Sequence, residues 1–178
     1  MKTRLNVMKR KISSISILLL LFLEMTVQAQ GFANGTGTAV DPYIINTVAH
    51  LQAMHTADYT SPIYVKLSAD LDMAGISWTP LNSASPYAKK VHFDGNGHVI
   101  KNLKVENESY ASLFGVLCGS CKNLGVINAN ITSTNGGGII GGYAGAKSPA
   151  DASLTGMIEN CYTTGIVMGT DGVGGIVG

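Results

Sequence analysis

Two segments of this chain carry one pattern 37 residues apart. Asn123 stands 18 residues before the Gly141 that closes Gly137-Gly138-Ile139-Ile140-Gly141, and Asn160 stands in the same relation to Gly178, which closes Gly174-Gly175-Ile176-Val177-Gly178. A unit of asparagine, short apolar strand, glycine-rich turn and branched apolar pair cannot bury its apolar face alone, whereas stacked copies bury a continuous core. The repeat therefore predicts an all-β solenoid. An earlier copy, Leu113-Phe114-Gly115, lies 26 residues before Gly141, and the 11 extra residues of the next step fall in the small, polar run from Tyr143 to Ser153, which contains Pro149. A basic unit of 26 residues with one insertion fits a parallel β-helix coil of two or three short strands, with insertions mapped to one face of the stack. Glycine at nearly every third position of these windows argues against a helical repeat.

A second pattern precedes the strands: Ile100-Lys101-Asn102-Leu103, Cys121-Lys122-Asn123-Leu124 and Ile158-Glu159-Asn160-Cys161. The order apolar, charged, Asn, apolar places the first residue inward, the charge outward and the asparagine at a bend, where its amide can bond backbone or the next asparagine in a ladder. Asn102, Asn123 and Asn160, with Gly115, Gly141 and Gly178, are accordingly read as structural repeat positions rather than chemical ones.

Residues 1–29 have the build of a secretory signal peptide: Lys2, Arg4, Lys9, Arg10 and Lys11, an apolar run from Ile12 to Leu23, and small residues at Val27 and Ala29 suited to cleavage before Gln30. The run is short for a membrane span, so no transmembrane segment is expected once it is removed. Residues 30–178 hold seven lysines, no arginine and ten acidic residues, a net charge near −3. Without a basic stripe there is no electrostatic footprint for nucleic acid. Cys118, Cys121 and Cys161 are an odd number and cannot all pair. Cys118-Gly119-Ser120-Cys121 has the spacing of a redox motif but no strand-to-helix setting. Cys121 takes the place of isoleucine and Cys161 that of leucine in the other copies, so both are expected to face inward as small apolar residues.

Residues 30–105 are expected to form an N-terminal cap and the first coils, and 106–178 the repeats. Asp41-Pro42-Tyr43-Ile44-Ile45 reads as a turn into a strand, after which Thr47 can cap a short helix carrying Val48, Leu51 and Met54 on one side. Such a helix would cover the first coil, whose open edge otherwise invites end-to-end association. Ile63 to Leu67 alternates as a strand, which Ala69 to Met73 is expected to continue. Phe93-Asp94-Gly95-Asn96-Gly97-His98-Val99-Ile100 reads as strand, tight turn, strand. The sequence stops on the turn of a repeat with no second cap, which reads as truncation of a longer surface protein.

Taken in order, Gly35-Thr36-Gly37-Thr38, Asp41 to Ile45, Ala49 to Met54, Lys66 to Met73, Trp78-Thr79-Pro80-Leu81 and Phe93 to His98 resemble the N-terminal part of secreted bacterial GLUG-motif proteins. Gly138-Ile139-Ile140-Gly141, Gly175-Ile176-Val177-Gly178 and Ile158 to Gly165 resemble the GLUG repeat itself, with Ile-Ile and Ile-Val where leucine-valine is usual. The resemblance spans about residues 31–178. It implies a right-handed parallel β-helix at or beyond the cell surface, of a kind shared with the non-catalytic region of IgA-specific metallopeptidases, and it implies no reaction.

Few side chains have the spacing that chemistry requires. His50, His55, His92 and His98 contain no His-Glu-x-x-His run and are read as lone exposed side chains. Asp70 and Asp72, two apart on the expected strand, would share a face and could hold a cation or act as acid and base. Asp94 and Asn96 have a calcium-loop flavour without the downstream glutamate, and a hairpin turn explains them better. No serine sits in a nucleophile elbow, no glycine run has the lysine of a phosphate loop, and no cofactor motif is present. Tyr59, Tyr64, Trp78, Tyr87, Tyr110 and Tyr143 could form a contact face, with core packing the commoner role. The reading is a non-catalytic secreted or cell-surface module for adhesion, binding or spacing, its partner a host glycan, polysaccharide or surface protein. The alternative is a piece of a larger extracellular peptidase or polysaccharide-degrading enzyme, and a third, weaker reading makes Asp70 and Asp72 catalytic.

Overall fold

The computed structural model of the chain describes residues 31–83, 89–145 and 155–178; the expected signal peptide, the Pro149 part of the insertion and Tyr87 lie outside the described residues. The strands of the described residues are β1 (Tyr43–Ile45), β2 (Ile63–Leu67), β3 (Leu71–Asp72), β4 (Lys90–Asp94), β5 (Val99–Lys101), β6 (Lys104–Ser109), β7 (Val116–Lys122), β8 (Gly125–Asn135), β9 (Tyr143–Ala144), β10 (Gly156–Glu159) and β11 (Tyr162–Gly169), and helix α1 (Val48–Ala53) lies between β1 and β2. They form two parallel sheets. One runs β1-β2-β4-β7-β10 with β9 beside β7, and the other β11-β8-β5-β3 with β6 beside β8. Each pass of the chain leaves a strand in the first sheet and enters one in the second: β2 to β3, β4 to β5, β7 to β8, β10 to β11.

Alternation explains which side chains face in. In β2, Ile63, Val65 and Leu67 are buried while Tyr64 and Lys66 are not, the period-two pattern of a half-buried strand. Parallel register then carries each inward position to the next pass: Val65 lies against Phe93, Phe93 against Cys121 and Cys121 against Ile158. The second sheet stacks Leu71 on Ile100 and Ile100 on Val126. Between the sheets Phe93 meets Phe114 edge to face at 5.4 Å, and the indole of buried Trp78 donates to the Leu113 carbonyl at 2.8 Å.

The glycine-rich turns stack as the repeat predicts. Leu113 N donates to Ile139 O and Phe114 N to Ile140 O, both at 3.0 Å, and Ile140 N donates to Ile176 O at 3.0 Å. Gly138 is required because a β-carbon there would fall on the Gly141 carbonyl and on Ile176 O, and Gly115 because its φ is +71° and a β-carbon would meet Asn82 O at 2.5 Å.

Asparagines with left-handed backbone turn the chain: Asn96, Asn123 and Asn160 at the corners from the first sheet into the second, and Asn102 and Asn128 at a bend within the second. Outside glycine, asparagine visits this region most readily because its short amide bonds locally. The amides form two ladders. Asn160 Nδ2 donates to Asn123 Oδ1 at 2.8 Å, and Asn123 Nδ2 to Asp94 Oδ1 at 3.0 Å. At the bend within the second sheet Asn128 Nδ2 donates to Asn102 Oδ1 at 2.6 Å, and Asn102 Nδ2 to Asp72 Oδ1 at 2.7 Å. Asn102 thus stacks on Asn128 and not with Asn123 and Asn160.

Three further expectations are revised. Asp94 to Gly97 is a corner rather than a hairpin turn, since β4 pairs with β2 and β7 while β5 pairs with β3 and β8. Ser68 to Asp70 breaks the expected long strand, so β3 joins the second sheet. The step between passes also varies, from 26 residues at the Asn102 bend to 28 at His92 and 37 at Asn160, because connecting segments lengthen while the paired strands keep register. Helix α1 forms as expected: Thr47 Oγ1 accepts from His50 N at 3.2 Å, and Leu51 and Met54 are buried in the common core beside the edge strand β1.

Asn123 provides a direct test of the corner. Asn123→Gly removes both ladder bonds but suits the backbone, with an expected loss of about 1–2 kcal/mol. Asn123→Ala adds the left-handed penalty, about 1 kcal/mol more. Urea unfolding of the two variants measures the difference.

Candidate functional site

The carboxylates singled out in the sequence are occupied by structural work. Asp70 lies in the bend before β3, so it shares no strand face with Asp72. Its Oδ1 accepts from Val99 N at 3.1 Å and faces His98 Nδ1 at 3.3 Å, and its Oδ2 lies 3.5 Å from Lys101 Nζ. Asp72 accepts from Asn102 and from Ala74 N at 2.9 Å. The Val99 N–H, then His98 and Lys101, hold Asp70 below the usual carboxylate range, and the Asn102 amide, then Ala74 N–H, do so for Asp72. A glycosidic general acid needs the opposite, a carboxyl held protonated.

Asp94 accepts from Asn96 N at 2.8 Å and lies 3.5 Å from Lys122 Nζ. Burial acts to raise its pKa, and the bonds from Asn123, Asn96 and Lys122 outweigh it, so the group is lowered. Asn96 Nδ2 donates to Leu67 O at 3.2 Å. Among the described residues no group of three His, Cys, Asp or Glu side chains could hold a metal ion.

The histidines are not the isolated side chains the sequence implied. His98 faces Asp70, His55 lies 4.9 Å from the Trp78 ring, and His92 lies on the outer face of the first sheet. There Tyr64, His92, Ser120 and Met157 follow one another in register on β2, β4, β7 and β10. The Tyr64 and His92 rings stack at 4.6 Å with 19° between planes, and His92 Nδ1 lies 2.9 Å from Ser120 Oγ. A parallel column alternates in charge: Lys66, Asp94, Lys122, Glu159. The two columns floor a cleft of about 340 Å³ whose side is built by Ala39 and Pro42. The loop carrying these two is held against β2 by Tyr64 N donating to Gly37 O at 2.9 Å.

The cleft combines an aromatic face, an imidazole and hydroxyl pair and balanced charge on a rigid sheet. Ser120 sits mid-strand, where backbone N–H groups serve the parallel ladder, so the His92–Ser120 pair has no adjacent cluster of amide donors of the kind that stabilises an oxyanion. The pair can accept and donate hydrogen bonds to a ligand. Of the aromatic candidates, Trp78 is buried, Tyr59 is tied to Met54 O at 2.9 Å, Tyr143 is partly exposed, and among the described ones Tyr64 alone lines this cleft. His92 and Ser120 escaped the sequence reading because they lie 28 residues apart in no shared motif; applying that step from Tyr64 to His92 to Ser120 would have aligned them.

No protein-family profile matches the chain. It is 31% identical over 159 residues to halomucin of Haloquadratum walsbyi, a match covering 81% of this chain and 2% of that protein. It is 31% identical over 126 residues to a "Putative Gly-rich membrane protein" of Evansella cellulosilytica, covering 64% of this chain and 14% of the relative. A solved chain described as a "putative immunoglobulin A1 protease" from Bacteroides ovatus superposes with a TM-score of 0.72 at 44% identity, over 76% of this chain and 41% of that one. The chain thus spans a small part of its curated relatives and less than half of the solved one. These names point to a surface or extracellular module. Among the described residues no helix is long and apolar enough to cross a membrane.

Acid sensitivity follows from the titrating groups. Burial, helped by Lys89, lowers His55, and burial lowers His92, both from 6.5. A histidine depressed in the folded state contributes stability that is present above its unfolded value and lost as pH falls through its folded value. The three aspartates, lowered from 3.8, act the same way at lower pH. Thermal melting is expected to fall as pH drops below about 6.5 and to fall again below about 4. In His92→Gln the first decline shrinks.

Proposed function

We propose that this chain is a non-catalytic extracellular module, a right-handed parallel β-helix of GLUG type that holds a glycan or polysaccharide along the outer cleft of its first sheet. The observation that carries the reading is the in-register column of Tyr64, His92 and Ser120 beside the alternating charges of Lys66, Asp94, Lys122 and Glu159. Sugar rings present apolar faces to aromatic planes and hydroxyls to polar side chains, and both kinds of group stand here on one rigid surface. Balanced charge suits a neutral or weakly charged chain better than a polyanion. The two-sheet topology and the stacked turns support the β-helix, and the likeness to halomucin and to the B. ovatus chain supports an extracellular setting.

A second reading, that the chain is a spacer within a larger extracellular peptidase, is favoured by the name given to the B. ovatus chain and by the 41% of it that is matched. The reading with Asp70 and Asp72 as catalysts has no support from their surroundings, since Asp70 is engaged by the Val99 N–H and Asp72 by the Asn102 amide, and both are held ionised.

Glycan and mucin arrays, followed by affinity electrophoresis with the retained polysaccharide, test the reading. Tyr64→Ala is expected to weaken retention about 10-fold, the effect of losing one aromatic contact. The double variant Asp70→Asn, Asp72→Asn should retain ligand as the parent does. Turnover of the bound chain that the double variant abolishes would overturn the proposal in favour of an enzyme.

A further inference from the structure

We propose that Cys121 and Cys161 form a modification site, a thiol pair that closes to a disulfide and ties the last described pass of the chain to the one before it. Cys121 points into the core from β7, in register with Ile158 of β10. Cys161 follows Asn160 at the next corner, where the previous pass has Leu124, as shown by Tyr162 N donating to Leu124 O at 3.1 Å. The stacked corner brings the two sulfurs to 4.0 Å although the residues are 40 apart in sequence. Bond formation brings the two sulfurs from 4.0 Å to about 2 Å.

Cys118 is no competitor for Cys121. The two are three residues apart on one extended strand, paired in step with Lys90 to Phe93, which separates their Cα atoms by about 10 Å, beyond the reach of a disulfide.

The surroundings divide the chemistry between the two thiols. Cys161 is half-buried and reachable, whereas Cys121 is fully buried. The bond from Cys121 holds the Cys161 thiol below its ordinary range, at about 7, while the same bond and burial push Cys121 well up. Cys161 is therefore the attacking thiolate. The oxidant is an external disulfide, small or protein-borne. Cys161 Sγ attacks one of its sulfurs, forming a mixed disulfide and expelling one thiolate. Cys121 then gives up its proton and attacks Cys161 Sγ, which forms the Cys121–Cys161 bond and releases the second thiol. Two protein thiols are oxidised and one external disulfide is reduced to two thiols.

The test uses the full chain, reduced and then incubated with oxidised glutathione, followed by non-reducing peptide mapping by mass spectrometry and by thermal melting. The expected result is a Cys121–Cys161 cross-linked peptide, unchanged by Cys118→Ala, with transient glutathione on Cys161. In Cys121→Ser the glutathione adduct on Cys161 should persist. Melting of the oxidised parent should rise by at least ~4 °C over the reduced form, a gain absent in Cys161→Ser. Linkage through Cys118, a glutathione adduct on Cys161 that persists in the parent, or no reaction at all would each overturn the proposal.

Discussion

The structure depends on what happens at its corners. A chain that alternates between two parallel sheets must change direction within a few residues, and from β4, β7 and β10 into the second sheet it does so through Asn96, Asn123 and Asn160, with φ between 50° and 54°. A left-handed residue is unfavourable for most side chains, and the cost is offset by the amide ladders. Every ladder bond points the same way, from the amide N–H of a later pass to the oxygen of an earlier one. Each ladder begins on an aspartate, Asp94 or Asp72, which has only acceptor oxygens when ionised. Replacing either head by a donor would leave the first asparagine without its acceptor.

The corners also decide the fate of the residues that looked chemical. Asp72, Asp94 and Asn96 resemble ligands or acids in sequence because short polar side chains among glycines serve turns, cation loops and catalysis alike. In the fold they bond the backbone and amides around them. On the outer side of the first sheet, parallel register lines up side chains from strands that are distant in sequence, along the cleft of Tyr64, His92 and Ser120. A surface of this kind is assembled by the stacking itself and needs no loop of its own.

Much of the fold was legible. Gly138, Ile139 and Ile140 announced stacked turns because a tight turn needs glycine and a core needs branched apolar pairs, and both needs recur in each pass. Thr47 and Leu51 announced the short helix through a cap and an apolar stripe. Other features were not legible, for physical reasons. Asn102 shares its local pattern with Asn123 because the bend and the corner pose the same steric problem, and only register separates them. Asp94-Gly95-Asn96-Gly97 satisfies a hairpin turn and a corner equally well, and the choice is made by whether the following strand pairs back or moves to the other sheet. His92 and Ser120 come together only when the step between passes is known.

The corner ladders can be examined directly by NMR, through hydrogen exchange of the side-chain amides of Asn102, Asn123, Asn128 and Asn160. All four are expected to exchange more slowly than a free asparagine amide, with Asn102 and Asn123, bonded on both sides, slower than Asn128 and Asn160. Exchange of all four at the rate of free asparagine would contradict the ladders.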